Sequence, residues 1–205
     1  MSCLQSWKLK NQIKKACRGK SEDQQKIIKF MYEERGCLKK TVSDDEFDAA
    51  KNRLTEGLDI RSKAFKKLGI DEDQVKEIDP IIISGRAWDF SAKIRAGKDK
   101  YYRTSAIEET HIFSSDNQIF AYTLKYDFLS GEIKERGEEF FYKDIVNFKT
   151  EDIEEKIKSI NKTIKSTQFV IVVPGDAYKC SMIPNSATED KISGLKAKLR
   201  EKKGN

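Results

Sequence analysis

The sequence holds a single histidine, His111, and only three prolines and four cysteines. Each scarcity closes off a class of chemistry. Cys3, Cys17, Cys37 and Cys180 are irregularly spaced, with no C-x-x-C pair. They read as free thiols, not as a disulfide framework or a zinc centre. No phosphate-cradling G-x-x-x-x-G-K, dinucleotide G-x-G-x-x-G, nucleophile G-x-S-x-G or metalloprotease H-E-x-x-H occurs. No apolar run approaches the ~20 residues that a membrane-crossing helix needs. Met1 to Lys20 lacks the unbroken apolar stretch of a signal peptide. The expected location is therefore cytoplasmic, with a peripheral place at a membrane as the alternative. No cofactor and no metal is expected.

Charge is what the chain has in quantity. Charged residues make up 36% and hydrophobic ones 38%, a polar balance that still allows a core. The net charge of +6 is localised: Lys8, Lys10, Lys14, Lys15, Arg18 and Lys20 stand in a segment with no acid. That leaves 34 of the 40 basic groups against 34 acidic ones. A nucleic-acid-binding domain would spread its excess over a face of the fold. Leu9, Ile13 and Ala16/Cys17 fall at helical spacing behind Trp7, so residues 1–20 form a basic helix with one apolar stripe. Packing of that stripe on the rest of the protein is the favoured reading. The alternative rests the helix on anionic lipid or a partner through Trp7, Lys8, Lys10, Lys14, Lys15 and Arg18.

Residues 21–80 read as helical. Ser21 to Arg35 carries an apolar stripe and stops at Gly36. Ser43-Asp44-Asp45-Glu46 is a capping box that opens a helix burying Phe47, Ala50 and Leu54. Ile60 to Leu68 forms the next helix and ends at Gly69. Asp71 caps a last short one through Val75 and Ile78, which Pro80 ends.

Residues 81–205 change character. Ile81 to Arg86 is a first strand or a linker. Ser114 to Asn117 and Ser130-Gly131 are turns, and between them Phe120, Tyr122, Leu124 and Tyr126 alternate as in a half-buried strand. Tyr142 to Phe148 enters another strand. In Thr150 to Ile164 the isoleucines 153, 157, 160 and 164 have helical spacing, and a short helix is preferred to a loop. Phe169 to Val173 is a continuous apolar strand, followed by a Pro174-Gly175-Asp176 hairpin turn. Ser186-x-x-Glu189 reads as a second capping box, with Ile192, Leu195 and Leu199 as one stripe. The fold class is α+β: helices first, then an antiparallel sheet or barrel closed by a C-terminal helix.

Two resemblances attach to these residues. The Tyr142-Lys143-Asp144-Ile145 step, Phe169-Val170-Ile171-Val172 with its glycine turn, and the Ile192/Leu195/Leu199 helix resemble bacterial pleckstrin-homology-like (PH-like) domains. That resemblance implies a bent antiparallel barrel plugged by the terminal helix, generally non-catalytic. Ser43 to Leu54 resembles the short helical pair of SHOCT domains.

Two groups could carry chemistry. Glu108, Glu109 and His111 could form an acid–base set, but an ion pair on one strand face accounts for Glu109 and His111 equally well, and no third member is evident. Lys93, Arg95, Lys98, Lys100 and Arg103, interleaved with Tyr101 and Tyr102, could converge on a phosphate. A solvated loop balanced by Asp89 and Asp99 is the plainer reading of the same residues. The expected function is a non-enzymatic binding or assembly module for a protein partner or self-association. Anionic lipid through the basic N-terminus and the 93–103 loop is the alternative, with nucleic acid ranked below it.

Overall fold

The computed structural model describes residues 3–32, 41–75, 79–88, 90, 92–157 and 161–204. Gly36, Cys37, Ile78, Asp89 and Ile160, all used above, lie outside the described residues. In chain order the helices are α1 (Cys3–Cys17), α2 (Glu22–Tyr32), α3 (Asp44–Glu56), α4 (Ile60–Leu68) and α5 (Ser186–Lys202). The strands are β1 (Ile81–Arg86), β2 (Ile94–Ala96), β3 (Tyr102–Thr104), β4 (Ala106–Ser114), β5 (Gln118–Asp127), β6 (Ile133–Phe141), β7 (Asn147–Ile157), β8 (Lys162–Val173) and β9 (Asp176–Met182). The protein is thus α+β, with helices first, several sheets, and a closing helix. It divides into two units, each assembled from three stretches of chain: 1–59 with 88–106 and 126–132, and 60–87 with 107–125 and 133–205.

The first unit is helical with a small hairpin. Ser43 caps α3 as its sequence requires: Oγ accepts from the Glu46 amide at 3.1 Å, and the Glu46 carboxylate accepts from the Ser43 amide at 2.8 Å. Phe47 and Ala50 are then buried, and the Phe47 ring meets Phe30 of α2 with centroids 4.5 Å apart. The α1 stripe packs on α2, with Ile13 buried and Leu9 half-buried. Of the stripe, Ile13 is thus covered, while Leu9, Ala16 and Cys17 keep part of their surface. β2 and β3 pair antiparallel across Arg95↔Arg103.

In the second unit, β1-β4-β5-β6 make a four-stranded sheet and β7-β8-β9 a three-stranded antiparallel one. Among the described residues neither sheet closes on itself. Ile83, Ile112, Ile119 and Ala121 from the first, with Phe148, Phe169 and Ile171 from the second, share one core with Ile192, Leu195 and Leu199 of α5. Burying each of those three helix side chains is worth about 1.5–3 kcal/mol, which holds α5 in place. Phe113, on the other face of β4, packs against Phe65 of α4 with ring centroids 5.1 Å apart.

Four expectations are corrected. Residues 150–164 are not a helix: β7 and β8 pair from Asn147↔Val172 to Ile157↔Lys162. Burial from Glu151 to Lys156 alternates with period two, so the isoleucine spacing was a coincidence of a strand. β5 is buried at nearly every position instead of on one face. It is an inner strand of its sheet, where alternation of Phe120, Tyr122 and Leu124 with smaller residues reports size and not exposure. The cap of α5 is Asn185, one residue early: its side chain accepts from the Thr188 amide at 2.9 Å, placing Ser186 inside the first turn. The short helix after Asp71 is one 3-10 turn, Glu72–Gln74.

The sheets meet where β1 crosses β9. The Ile183 amide donates to the Ser84 carbonyl at 2.8 Å, and Ser181 Oγ accepts from the Arg86 amide at 3.1 Å. The backbones approach so closely that a Cβ on Gly85 would sit 2.3 Å from the Ser181 carbonyl carbon. Only glycine fits. Buried Glu108 completes the corner, accepting from the Ser181 amide at 2.6 Å and pairing with Lys125 at 3.1 Å. Gly85→Ala is expected to destabilise the protein by about 3 kcal/mol through overpacking against backbone. Urea denaturation checks this, and a loss below about 1 kcal/mol contradicts the close crossing.

Candidate functional site

α1 presents its charges outward because its apolar stripe is committed to α2. Trp7 is 64% exposed, and Lys8, Lys10, Lys14, Lys15 and Arg18 are all exposed. A groove of about 720 Å³ runs between the two helices, walled by Lys10, Lys14, Arg18 and Lys29 over a floor of Ile13 and Cys17. Among the described residues no carboxylate lines it. The acids of α2 are occupied elsewhere: Glu22 binds Lys26 at 2.8 Å, and Asp23 binds Arg53 through two contacts at 2.6 and 2.9 Å. Arg53 holds the Asp23 carboxyl below the usual carboxylate range. Among the described residues, none of Lys8, Lys10, Lys14, Lys15, Arg18 or Lys29 forms an ion pair. The turn after α1 is fixed by Gln25, whose amide donates to the Lys20 carbonyl at 2.9 Å, and by Lys20 Nζ on the Ser130 carbonyl at 2.9 Å.

The 93–103 cations behave differently. Arg103 is buried and lies between two carboxylates. It donates to Asp48 at 2.9 and 2.6 Å and to Asp99 at 3.0 and 2.9 Å. This is the bidentate geometry that guanidinium favours. Asp99 is accordingly held down at about 2, chiefly by its hydrogen bonds from Arg103. Asp44, in the first turn of α3, accepts from the Lys98 and Asp99 amides at 2.6 and 3.3 Å. Arg95 donates to the Phe30 carbonyl and covers the Phe30 ring 4.9 Å from its centroid. Lys93 lies 4.3 Å over Tyr32. Lys98 and Lys100 alone keep exposed side chains. The anions that this hairpin gathers are therefore largely the protein's own.

Asp44 and Asp48 went unrecognised from sequence as partners of the hairpin. The one signal was an unusually acidic first turn on α3, which the helix dipole already explains.

His111 and Glu109 do share a face, with Nε2 and Oε1 2.7 Å apart. Ser84 Oγ donates to Glu109 at 3.4 Å. The hydroxyl thus meets the carboxylate and not the imidazole, the wrong order for an activated nucleophile. Glu108 is occupied by Ser181 and Lys125. Burial pushes the Cys180 thiol up to about 12, so it is inert at neutral pH. Cys17, half-buried, lies in the basic groove. Among the described residues no three His, Cys, Asp or Glu side chains converge as metal ligands, and no helix is long and apolar enough to cross a membrane.

No protein-family model, curated protein or solved structure matches the chain.

Replacing Arg103 by Gln is expected to cost roughly 1–2 kcal/mol, discounted because both carboxylates are half-exposed. It should also speed amide exchange across residues 94–104. The Asp99 carboxyl lies below its ordinary 3.8 in the folded chain. Its contribution is therefore complete above that pH and lost as pH falls through about 2. Acid titration followed by exchange in the hairpin reads this, and an Arg103→Gln chain whose hairpin exchanges as the wild type does contradicts the clamp.

Proposed function

We propose that this chain is a non-enzymatic binding module that engages an anionic membrane surface through α1. The observation that carries the reading is the row of outward cations, Lys8, Lys10, Lys14, Lys15 and Arg18, without ion pairs among the described residues and beside an exposed Trp7. Basic side chains near an anionic leaflet contribute about 1 kcal/mol each, and an interfacial tryptophan adds an amphipathic anchor. The aromatic favours lipid over a nucleic-acid backbone. Because the apolar stripe faces α2, the helix would lie on headgroups and not sink among acyl chains.

The second unit is the scaffold in this reading, and we take it as PH-like. Support comes from strand count and order: a four-stranded sheet, a three-stranded one, β1 against β9, and a C-terminal helix on the shared core. Closure into a barrel belongs to the same proposal. The occupied state of Glu108, Glu109 and Cys180 supports a non-catalytic role.

A second reading, protein interaction or self-association, has its own observation. Phe141 and Val146 are 49% and 56% exposed at the β6–β7 connection, flanking buried Tyr142 and Ile145. Such paired apolar exposure suits a protein contact. Sedimentation at increasing concentration tests self-association, and a single monomer boundary throughout removes it.

Vesicle flotation tests the main reading. Vesicles rich in phosphatidylserine should carry the full chain at low salt and release it as salt screens the charges. Replacing Lys10, Lys14 and Arg18 together by Gln should weaken partitioning roughly a hundredfold, at about 1 kcal/mol per charge. Equal binding to neutral vesicles, or an unaffected triple variant, contradicts it.

A further inference from the structure

The four-stranded sheet of the second unit ends on a strand whose side chains are uncovered. β6 stands last in the order β1-β4-β5-β6, so β5 takes one of its edges, and among the described residues no strand takes the other. Six of its nine positions are exposed. An open edge offers a row of backbone donors and acceptors to any strand laid beside it. Short length or a proline commonly blunts such an edge. β6 runs for nine residues and contains no proline. Its charges are the remaining guard, and their order suits one particular partner.

Alternation places Ile133, Glu135, Gly137, Glu139 and Phe141 on the outer face of β6. Arg136, Glu138 and Phe140 share the other face, where Phe140 joins the core and Arg136 lies 4.1 Å over the Tyr178 ring. The outer face is apolar at both ends: Ile133 is 39% exposed and Phe141 49%. Gly137 stands midway between them. A second β6 laid antiparallel about a two-fold axis at Gly137 therefore sets each Ile133 opposite Phe141 of the copy. All four uncovered side chains then gain an apolar neighbour.

The charges agree with the same register. Arg136 falls opposite Glu138 of the copy, twice. These two residues already meet within one strand, with Arg136 Nε 2.5 Å from Glu138 Oε1, so pairing extends the contact into a ring of alternating sign. Moving the axis by one residue instead opposes Arg136 to Arg136 or Glu138 to Glu138, and like charges directly opposite destabilise a sheet. At Gly137 the one like-charged match is Glu135 against Glu139. α4 ends over this point. A Cβ on Gly137 would lie 3.3 Å from Lys67 Cγ, so each copy brings a lysine to the face that these carboxylates share. Glu135 also accepts from the Tyr122 hydroxyl.

We propose that this chain forms a two-fold dimer by antiparallel pairing of β6 with β6 of a second copy. The contact is isologous, as a two-fold axis requires, and joins the two sheets edge to edge. The inference rests on the self-association reading above, to which it gives a partner, an edge and a register. It does not depend on α1.

Sedimentation of the full chain and its charge variants reads the register. The wild type should dimerise with rising concentration. Arg136→Glu sets glutamates opposite glutamates, and Glu138→Arg sets arginines opposite arginines, so each variant alone should dimerise at least tenfold more weakly. An equimolar mixture of the two should recover the dimer, because each strand then opposes the other's charge. Recovery on mixing also shows that both variants are folded. Ile133→Ser combined with Phe141→Ser should weaken the dimer at least tenfold. A monomer at every concentration overturns both this proposal and the self-association reading. A wild-type dimer that neither charge variant weakens, or that mixing does not recover, overturns the β6 pairing and leaves association through Phe141 and Val146 standing.

Discussion

The guanidinium of Arg103 decides which of this protein's many charges face the outside. Held between Asp48 and Asp99, it ties the β2–β3 hairpin to α3, while Asp44 takes the amides of the hairpin turn. Six hydrogen bonds to the carboxylates of Asp44, Asp48 and Asp99 thus converge on a segment that, on composition, looked like an open anion-binding loop. Arginine suits this place because its planar fork satisfies two carboxylates at once and stays charged when buried. With those groups mutually engaged, the hairpin keeps only Lys98 and Lys100 outward, and the longer row of exposed cations is on α1. The functional account follows from that division.

A second constraint organises the other unit. The two sheets meet where β1 passes β9, and that close approach needs a residue without a side chain. Gly85 supplies it against Ser181, and buried Glu108 supplies an acceptor to the Ser181 amide. A carboxylate buried in this way is tolerable because Lys125 and an amide both meet it. α5 then covers the shared core with three side chains.

How legible this was in the sequence depends on how far apart the interacting residues lie. The Ser43–Glu46 box, the Ile192/Leu195/Leu199 stripe and the α1 stripe are local patterns, and each forms as its spacing requires. The β7–β8 hairpin was misread because four isoleucines imitate a helical period, while the evidence against it lies in a partner strand. The state of Arg103 was not legible at all: Asp48 stands 55 residues away, and composition cannot pair them.

The central claim is that α1, and not the 93–103 hairpin, is the face that meets an anionic partner. Hydrogen–deuterium exchange of the full chain, with and without phosphatidylserine vesicles, tests it most directly. The account expects added protection within residues 7–29 and none beyond the existing level across residues 94–104. Protection concentrated in the hairpin, with α1 unchanged, would contradict it.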